Sequence, residues 1–223
     1  MKLQQSELKQ IRDFLDKKEL FQIDLRAEIY DHIIESTCQN MRLNSVDFDE
    51  AFSVETQRWN IELDNYSSFW LGLYWNGPRI MISKSVKQIK KVYLKSTLAS
   101  LFIVLTAFIL NGIFSITFLD SISKIIGAVY IIFFVILMVY DYRIKTTNYQ
   151  TTFSFLFKIN AIGVGFVYVL YNPLWTNFMS IYDDGSLMYI SIGLHAFAIS
   201  FFFYFSSLYN SHMSFNNQKV LWH

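Results

Sequence analysis

The sequence predicts an all-α protein in two parts: a small cytoplasmic three-helix domain, then a four-helix transmembrane bundle. Three observations predict it. First, 53% of the 223 residues are hydrophobic and 18% aromatic, while 17% are charged; ordinary soluble domains carry about 25% charge. Second, the charge is segregated. Residues 1–65 hold 8 Lys+Arg against 14 Asp+Glu, a net of −6, whereas residues 79–95 hold Arg79, Lys84, Lys87, Lys90, Lys91 and Lys95 and no acid. Third, long charge-free runs begin at Ser96, and about 20 such residues suffice to cross a bilayer as a helix.

The acidic head, residues 1–64, reads as three helices. One covers about 6–20, starts at Ser6 and carries Leu8, Ile11, Phe14 and Leu15 at helical spacing. The next, about 24–41, carries Leu25, Ile29, Ile33 and Ile34, with Tyr30, Cys38 and Met41 alongside. The third begins in "SVDFDEAF", with Asp47 as N-cap and Glu50 three residues on, the spacing of a capping box. Val46 and Ala51 are placed to form a staple; Phe48, Phe52 and Trp59 supply the apolar side. Short amphipathic helices need mutual burial, so a compact unit is expected.

Residues 65–95 form the next segment. Tyr66, Phe69, Trp70, Tyr74 and Trp75 crowd its first part, and such aromatics favour a membrane–water interface. "NGP" at 76–78 breaks the chain. A basic helix then runs into the first span, with Lys84, Lys87, Lys90, Lys91 and Lys95 as a collar facing lipid. Each lysine near anionic headgroups is worth about 1 kcal/mol.

Four spans are expected within 96–208: 96–119, 125–140, 152–171 and 186–208, with a tail at 209–223. The Lys/Arg bias of the flanks places both termini in the cytoplasm and the 176–185 loop outside. "MKLQQSELKQ" has no apolar core of a signal peptide, so the head is expected to stay in the cytoplasm. Cys38 is the single cysteine, which precludes an intrachain disulfide and fits a reducing compartment. Helices in lipid meet through small and polar residues. Thr97, Ser100, Ala107, Asn111 and Ser115 mark such a seam, as do Lys158, Ala161, Gly165 and Tyr168, and also Ser191, His195 and Ala198. The intramembrane polar candidates are Asn111, Lys158 and His195. Asn111 and His195 fall in one layer, where a bundle-holding hydrogen bond competes with a proton or substrate path. Lys158 has a stem long enough to snorkel to the headgroups.

The densest titratable stretch is "DLRAEIYDHI". Asp24, Glu28, Asp31 and Glu35 are spaced four, three and four, one stripe of a helix. Glu28 and His32 are also one turn apart. A di-metal bundle draws Glu-x-x-His pairs from several facing helices, and residues 1–95 contain no second histidine. The expectation is a wet acidic face for docking something basic, made of Asp24, Glu28, Asp31, His32 and Glu35. The nearest basic surface is the chain's own collar.

"LFQIDLRAEIYDHIIESTCQNM" followed by "SVDFDEAFSVETQRW" and an aromatic, basic stretch resembles the HAAS-type and permease-prefix helical domains that precede transmembrane segments in bacterial proteins. The resemblance covers roughly residues 1–95 and rests on Glu28-x-x-Asp31-His32, the Phe48/Ala51 helix start and the basic linker. It implies a helical sensor or docking domain joined to a membrane part, and no particular reaction. No phosphate-binding glycine loop, Gly-x-Ser-x-Gly, His-Glu-x-x-His or Cys-x-x-Cys occurs. The expected function is therefore non-enzymatic: a docking, regulatory or accessory subunit without cofactor, metal or nucleic acid. Its expected partners are anionic lipids at 84–95 and another membrane or cytoplasmic protein, or a second copy. The alternative is a small transporter or permease subunit with a polar path at the bundle centre.

Overall fold

A computed structural model describes residues 3–72, 75–109, 116–161, 163, 165 and 185–215. These residues are mostly helical. They form two compact units. The first, the head, runs to Gln88 and also takes in Asn148–Thr152; the second takes Ile89–Thr147 and the chain from Phe153 on.

In the head, α1 (Gln5–Lys17), α2 (Ile23–Asn44) and α3 (Phe48–Leu63) follow in order, and α2 packs against both neighbours. The start of α1 is capped at Gln4, not Ser6: the Gln4 amide donates to Glu7 Oε2 at 2.5 Å. Its end comes three residues earlier than expected. The Glu19 amide donates to the Asp16 carbonyl at 3.0 Å and the Leu20 amide to the Leu15 carbonyl at 3.3 Å. That is the Schellman arrangement. It puts Glu19 in the left-handed region at φ 52° and turns Leu20 into the core beside the fully buried Leu15.

Along α2, Leu25, Ile29, Ile33, Thr37 and Met41 are buried at steps of four. On α3, Asp47 accepts the Glu50 amide at 2.9 Å, the expected cap. Phe48 stacks on Phe52 at 5.2 Å, and Phe14 of α1 meets Phe52 edge-on at 6.1 Å. Ion pairs Arg26–Asp16 (2.7 Å) and Lys18–Asp64 (3.0 Å) clip the outside.

Residues 65–72 and 75–78 add backbone pairing to the aromatic stretch, which the sequence reading did not include. They form an antiparallel hairpin, β1 (Asn65–Ser67) with β2 (Asn76–Pro78), pairing Tyr66 with Gly77. Between the strands lie a 3₁₀ turn at Phe69–Leu71 and Gly72 at φ 90°. A Cβ at Gly77 would come within 2.7 Å of Met81 Cε, the flexible end of that side chain, so the strand lies close against the next helix. The Arg79 amide donates to the Asp64 carbonyl at 2.9 Å, which ties the end of α3 to the start of α4. Arg79 also sits 5.3 Å over the Tyr66 ring.

Helix α4 (Arg79–Ile109) merges the expected basic helix with the first span. Helix α5 (Ile116–Lys145) begins before the expected end of that span, so 96–119 divides between two helices. Helix α6 covers 152–161, with 163 and 165 also helical; the remainder of the expected 152–171 run lies outside the described residues. Helix α7 (Gly185–Ser214) overruns the expected end at 208. It continues because Tyr209 and His212 are buried in packing and not part of a free tail.

In the second unit, ring and hydrogen-bond contacts give the helix directions. Ser100 meets Gly193 while the Tyr93 ring meets Phe197 and Phe201, so α4 and α7 are antiparallel. Tyr130 meets His195, Phe133 meets Phe202 and Tyr140 meets Tyr209, so α5 and α7 run parallel. Phe157 meets Phe205 and Phe153 meets Phe215, so α6 opposes α7. Among the described residues, two helices are long and apolar enough to cross a membrane, Arg79–Ile109 and Ile192–Ser214, against the four expected.

The left-handed Glu19 yields a stability test. A non-glycine residue there costs about 1–2 kcal/mol, so Glu19→Gly is expected to stabilise the head by about 1 kcal/mol, read from its unfolding transition. Glu19→Ala is expected to bring no such gain. A destabilised Glu19→Gly would show that the side chain, not the backbone, matters at this turn.

Candidate functional site

The acidic stripe of α2 is divided by the fold. Its first two carboxylates are used inside the head. Asp24 Oδ1 accepts the Thr152 amide at 2.8 Å. Burial pushes the Asp24 carboxyl above its usual range, and the bonds from Thr152 work against that shift. Glu28 accepts both ways from Lys84 Nζ at 2.6 Å. Both side chains of this pair are about half exposed, so it contributes about 0–1 kcal/mol and acts mainly as a positional tie between α2 and α4. The expected meeting of stripe and collar therefore occurs, at Lys84.

The other three candidates, Asp31, His32 and Glu35, are exposed one turn further along α2. So are Lys87, Lys90, Lys91 and Lys95 on α4. The structure thus brings Asp24 and Glu28 into internal contacts and leaves Asp31, His32 and Glu35 on the surface.

The partner of Asp24 was not foreseen. Asn148–Thr152, between α5 and α6, belongs to the head. Gln150 bridges Gln22 in parallel, and the Ile23 amide donates to the Gln150 carbonyl at 2.9 Å. The only local signal was Thr151–Thr152 ahead of an apolar run, a residue type that starts helices.

In the second unit, His195 is buried and its Nδ1 lies 2.6 Å from the Tyr130 hydroxyl. Tyr130 is a contact of His195 that the sequence reading did not include; Asn111, expected in the same layer, lies outside the described residues. Further along the same pair of helices, Arg143 Nη1 donates to the Tyr209 hydroxyl at 3.3 Å, and Thr147 Oγ1 lies 3.0 Å from His212 Nε2. Lys158 is half-buried on α6, close enough for its charge to act on His212.

Small residues set the α4–α7 contact. Ser100 Oγ donates to the Gly193 carbonyl at 2.6 Å, and a Cβ at Gly193 would meet Val104 Cγ2 at 2.9 Å. Gly165, placed by the sequence on an inward face of its helix, is buried against Phe134. Thr97, placed on the α4 seam, is exposed; Ser96 is buried instead, one position away.

No protein-family model matches the chain, and no curated protein and no solved structure matches it either.

The His195–Tyr130 contact predicts coupled stability effects. Interhelical hydrogen bonds in membrane settings average about 0.6 kcal/mol. Tyr130→Phe and His195→Leu are each expected to lower stability by about that much beyond any packing change. The double variant is expected to lose less than the sum, because the second change removes a partner already orphaned. Additive losses in an unfolding titration would show that the two groups do not depend on each other.

Proposed function

We propose that the chain is a multi-pass protein of a bacterial inner membrane. Four helices cross it, both termini are cytoplasmic, and the head is a docking domain for a membrane or cytoplasmic partner. On this reading it is a non-enzymatic regulatory or accessory subunit. The observation that carries it is the hold of the head on Asn148–Thr152. The chain enters α4 from the head and returns to the head after α5. Two crossings between these points keep both on one side; a single crossing would separate them. The alternating helix directions of the second unit support the same count.

The docking surface is the part of the stripe left exposed: Asp31, His32 and Glu35. The exposed lysines from Lys87 to Lys95 suit anionic headgroups, with Lys84 withdrawn by its pair with Glu28. The HAAS-type or permease-prefix resemblance fits a helical head of this kind. The alternative, a small transporter or permease subunit, needs a polar path at His195. The hydrogen bond between Tyr130 and His195 favours a role in holding helices together.

Two experiments test the proposal. With Cys38 replaced, an impermeant thiol reagent is expected to label Asn177→Cys in intact cells, and Ser83→Cys only after permeabilisation. Labelling of Ser83→Cys from outside would reverse the topology. Gentle extraction and affinity capture are expected to recover a stoichiometric partner that is lost on Asp31→Lys with Glu35→Lys. Recovery of a solitary monomer from the unaltered chain would overturn the docking role.

A further inference from the structure

The segment Asn148–Thr152 lies in the head as a ligand lies in a recognition site. Its exposure alternates over four residues before the helix begins at the buried Thr152: Asn148 and Gln150 are exposed, while Tyr149 and Thr151 are buried, at 9% and 0% relative exposure. That is the period of an extended strand. Its backbone is read as well. Ile23 is the first residue of α2, and its amide is one of the donors that a helix start leaves without an internal partner. It finds the Gln150 carbonyl at 2.9 Å.

The second contact returns the favour. Thr152 is the first residue of α6, and its amide is an orphan of the same kind. It finds Asp24 Oδ1 at 2.8 Å. Each helix start thus satisfies a donor of the other. Main-chain bonds combined with alternate buried side chains are the mode by which proteins bind extended peptides. Beside this seat, Gln22 is buried and its Oε1 has no partner among the described residues, an acceptor that an incoming donor could meet.

We propose that the head is a recognition module for an extended segment leading into a helix, and that its seat at the start of α2, occupied by Asn148–Thr152, can take a segment of the same pattern from another chain. The pattern is an aromatic residue, a hydroxyl residue two positions on, and then a helix start. This deepens the docking role above by naming the chemistry of the ligand. It uses a different part of α2 from Asp31 and Glu35, so the two can fail separately.

The test uses the full chain in detergent or nanodiscs and a fluorescent peptide of residues 146–156. The tethered segment competes at an effective concentration of about millimolar or above, so the unaltered protein is expected to bind the peptide weakly. A chain carrying Tyr149→Ala and Thr151→Lys vacates the seat and is expected to bind it at least tenfold more tightly. The same two changes in the peptide are expected to abolish binding. Asp24→Ala in the vacated chain is expected to weaken it about fivefold, the loss of one capping bond. No binding by a vacated chain whose α2 and α3 amides keep their exchange protection would overturn the proposal and leave partner capture through Asp31 and Glu35 untouched. If the double change unfolds the head, the unaltered chain compared with the single variant Tyr149→Ala still decides. Its Ile23 and Thr152 amides are expected to be protected from hydrogen exchange, and to lose protection together in Tyr149→Ala alone. Independent loss would overturn the proposal.

Discussion

The exchange of donors between two helix starts is the contact on which the arrangement of the chain depends. A helix leaves its first amides without internal partners, and such groups are costly when withdrawn from water. Here α2 and α6 each carry one toward the other, through Ile23 to Gln150 and Thr152 to Asp24. The contact joins residues more than a hundred positions apart. It makes the link between α5 and α6 a part of the head. A carboxylate at this place also answers the positive ends of both helices, which favour nearby negative charge. Asp24 bears a desolvation penalty for this position, seen in its raised pKa, and the Thr152 bonds offset part of it.

Polar contacts in the second unit are of two kinds: some hydroxyls return to their own helix, as Thr106 does to the Phe102 carbonyl and Ser206 to the Phe202 carbonyl, and others join different helices. Tyr130 meets His195, Ser100 meets the Gly193 carbonyl, and Arg143 meets Tyr209. Where solvent is excluded, such groups are satisfied within the protein, by the helix's own backbone or by a neighbouring helix. The contact at Gly193 adds proximity. Without a side chain there, Val104 and Ser100 of α4 come within van der Waals range of the α7 backbone. Stacked rings fill the rest, Phe133 on Phe202 at 3.8 Å and Tyr140 on Tyr209 at 4.0 Å.

Local chemistry was legible in the sequence where one residue type admits one role. Asp47 ahead of Phe48 reads as a cap and is one; Leu25, Ile29 and Ile33 read as a buried stripe and are one. The Glu28–Lys84 pair was legible as charge complementarity between stripe and collar. Long-range partners were not. Nothing local in "NYQTT" announces that it lies beside Gln22, because a single bridge has no alternation long enough to read. The Tyr130–His195 contact was not foreseen for a geometric reason: one position of register rotates a side chain by about 100°, which decides which neighbour it faces. The Thr97-for-Ser96 error has the same origin. The hairpin was hidden because three-residue strands containing Gly77 and Pro78 contradict strand propensity; backbone pairing and the contact with Met81 override it.

Helix α4 draws the two units' physics into one element. Its buried positions follow one face: Met81, Ile82, Ser85, Ile89 and Ser96, continued by the half-buried Ser100, Val104 and Ala107. The chemistry of that face reverses along the helix. Up to Ile89 the inner side is largely apolar and the outer side carries Lys84, Lys87, Lys90 and Lys91. From Ser96 the inner side is small and partly polar, and the outer side carries Leu98, Leu101, Phe102 and Leu105. In water, apolar burial drives packing; in lipid it does not, and small or hydrogen-bonding residues take the interface. The reversal fits a helix passing from one solvent to the other. Its length allows this: 31 residues exceed the roughly 20 needed to cross by about eleven. Two serines on the same face show the consequence. Ser100 finds the Gly193 carbonyl at 2.6 Å and helps hold α7. Ser85 is fully buried within the head, and its hydroxyl has no partner among the described residues. The same side chain strengthens the helix contact in one setting and weakens the core in the other.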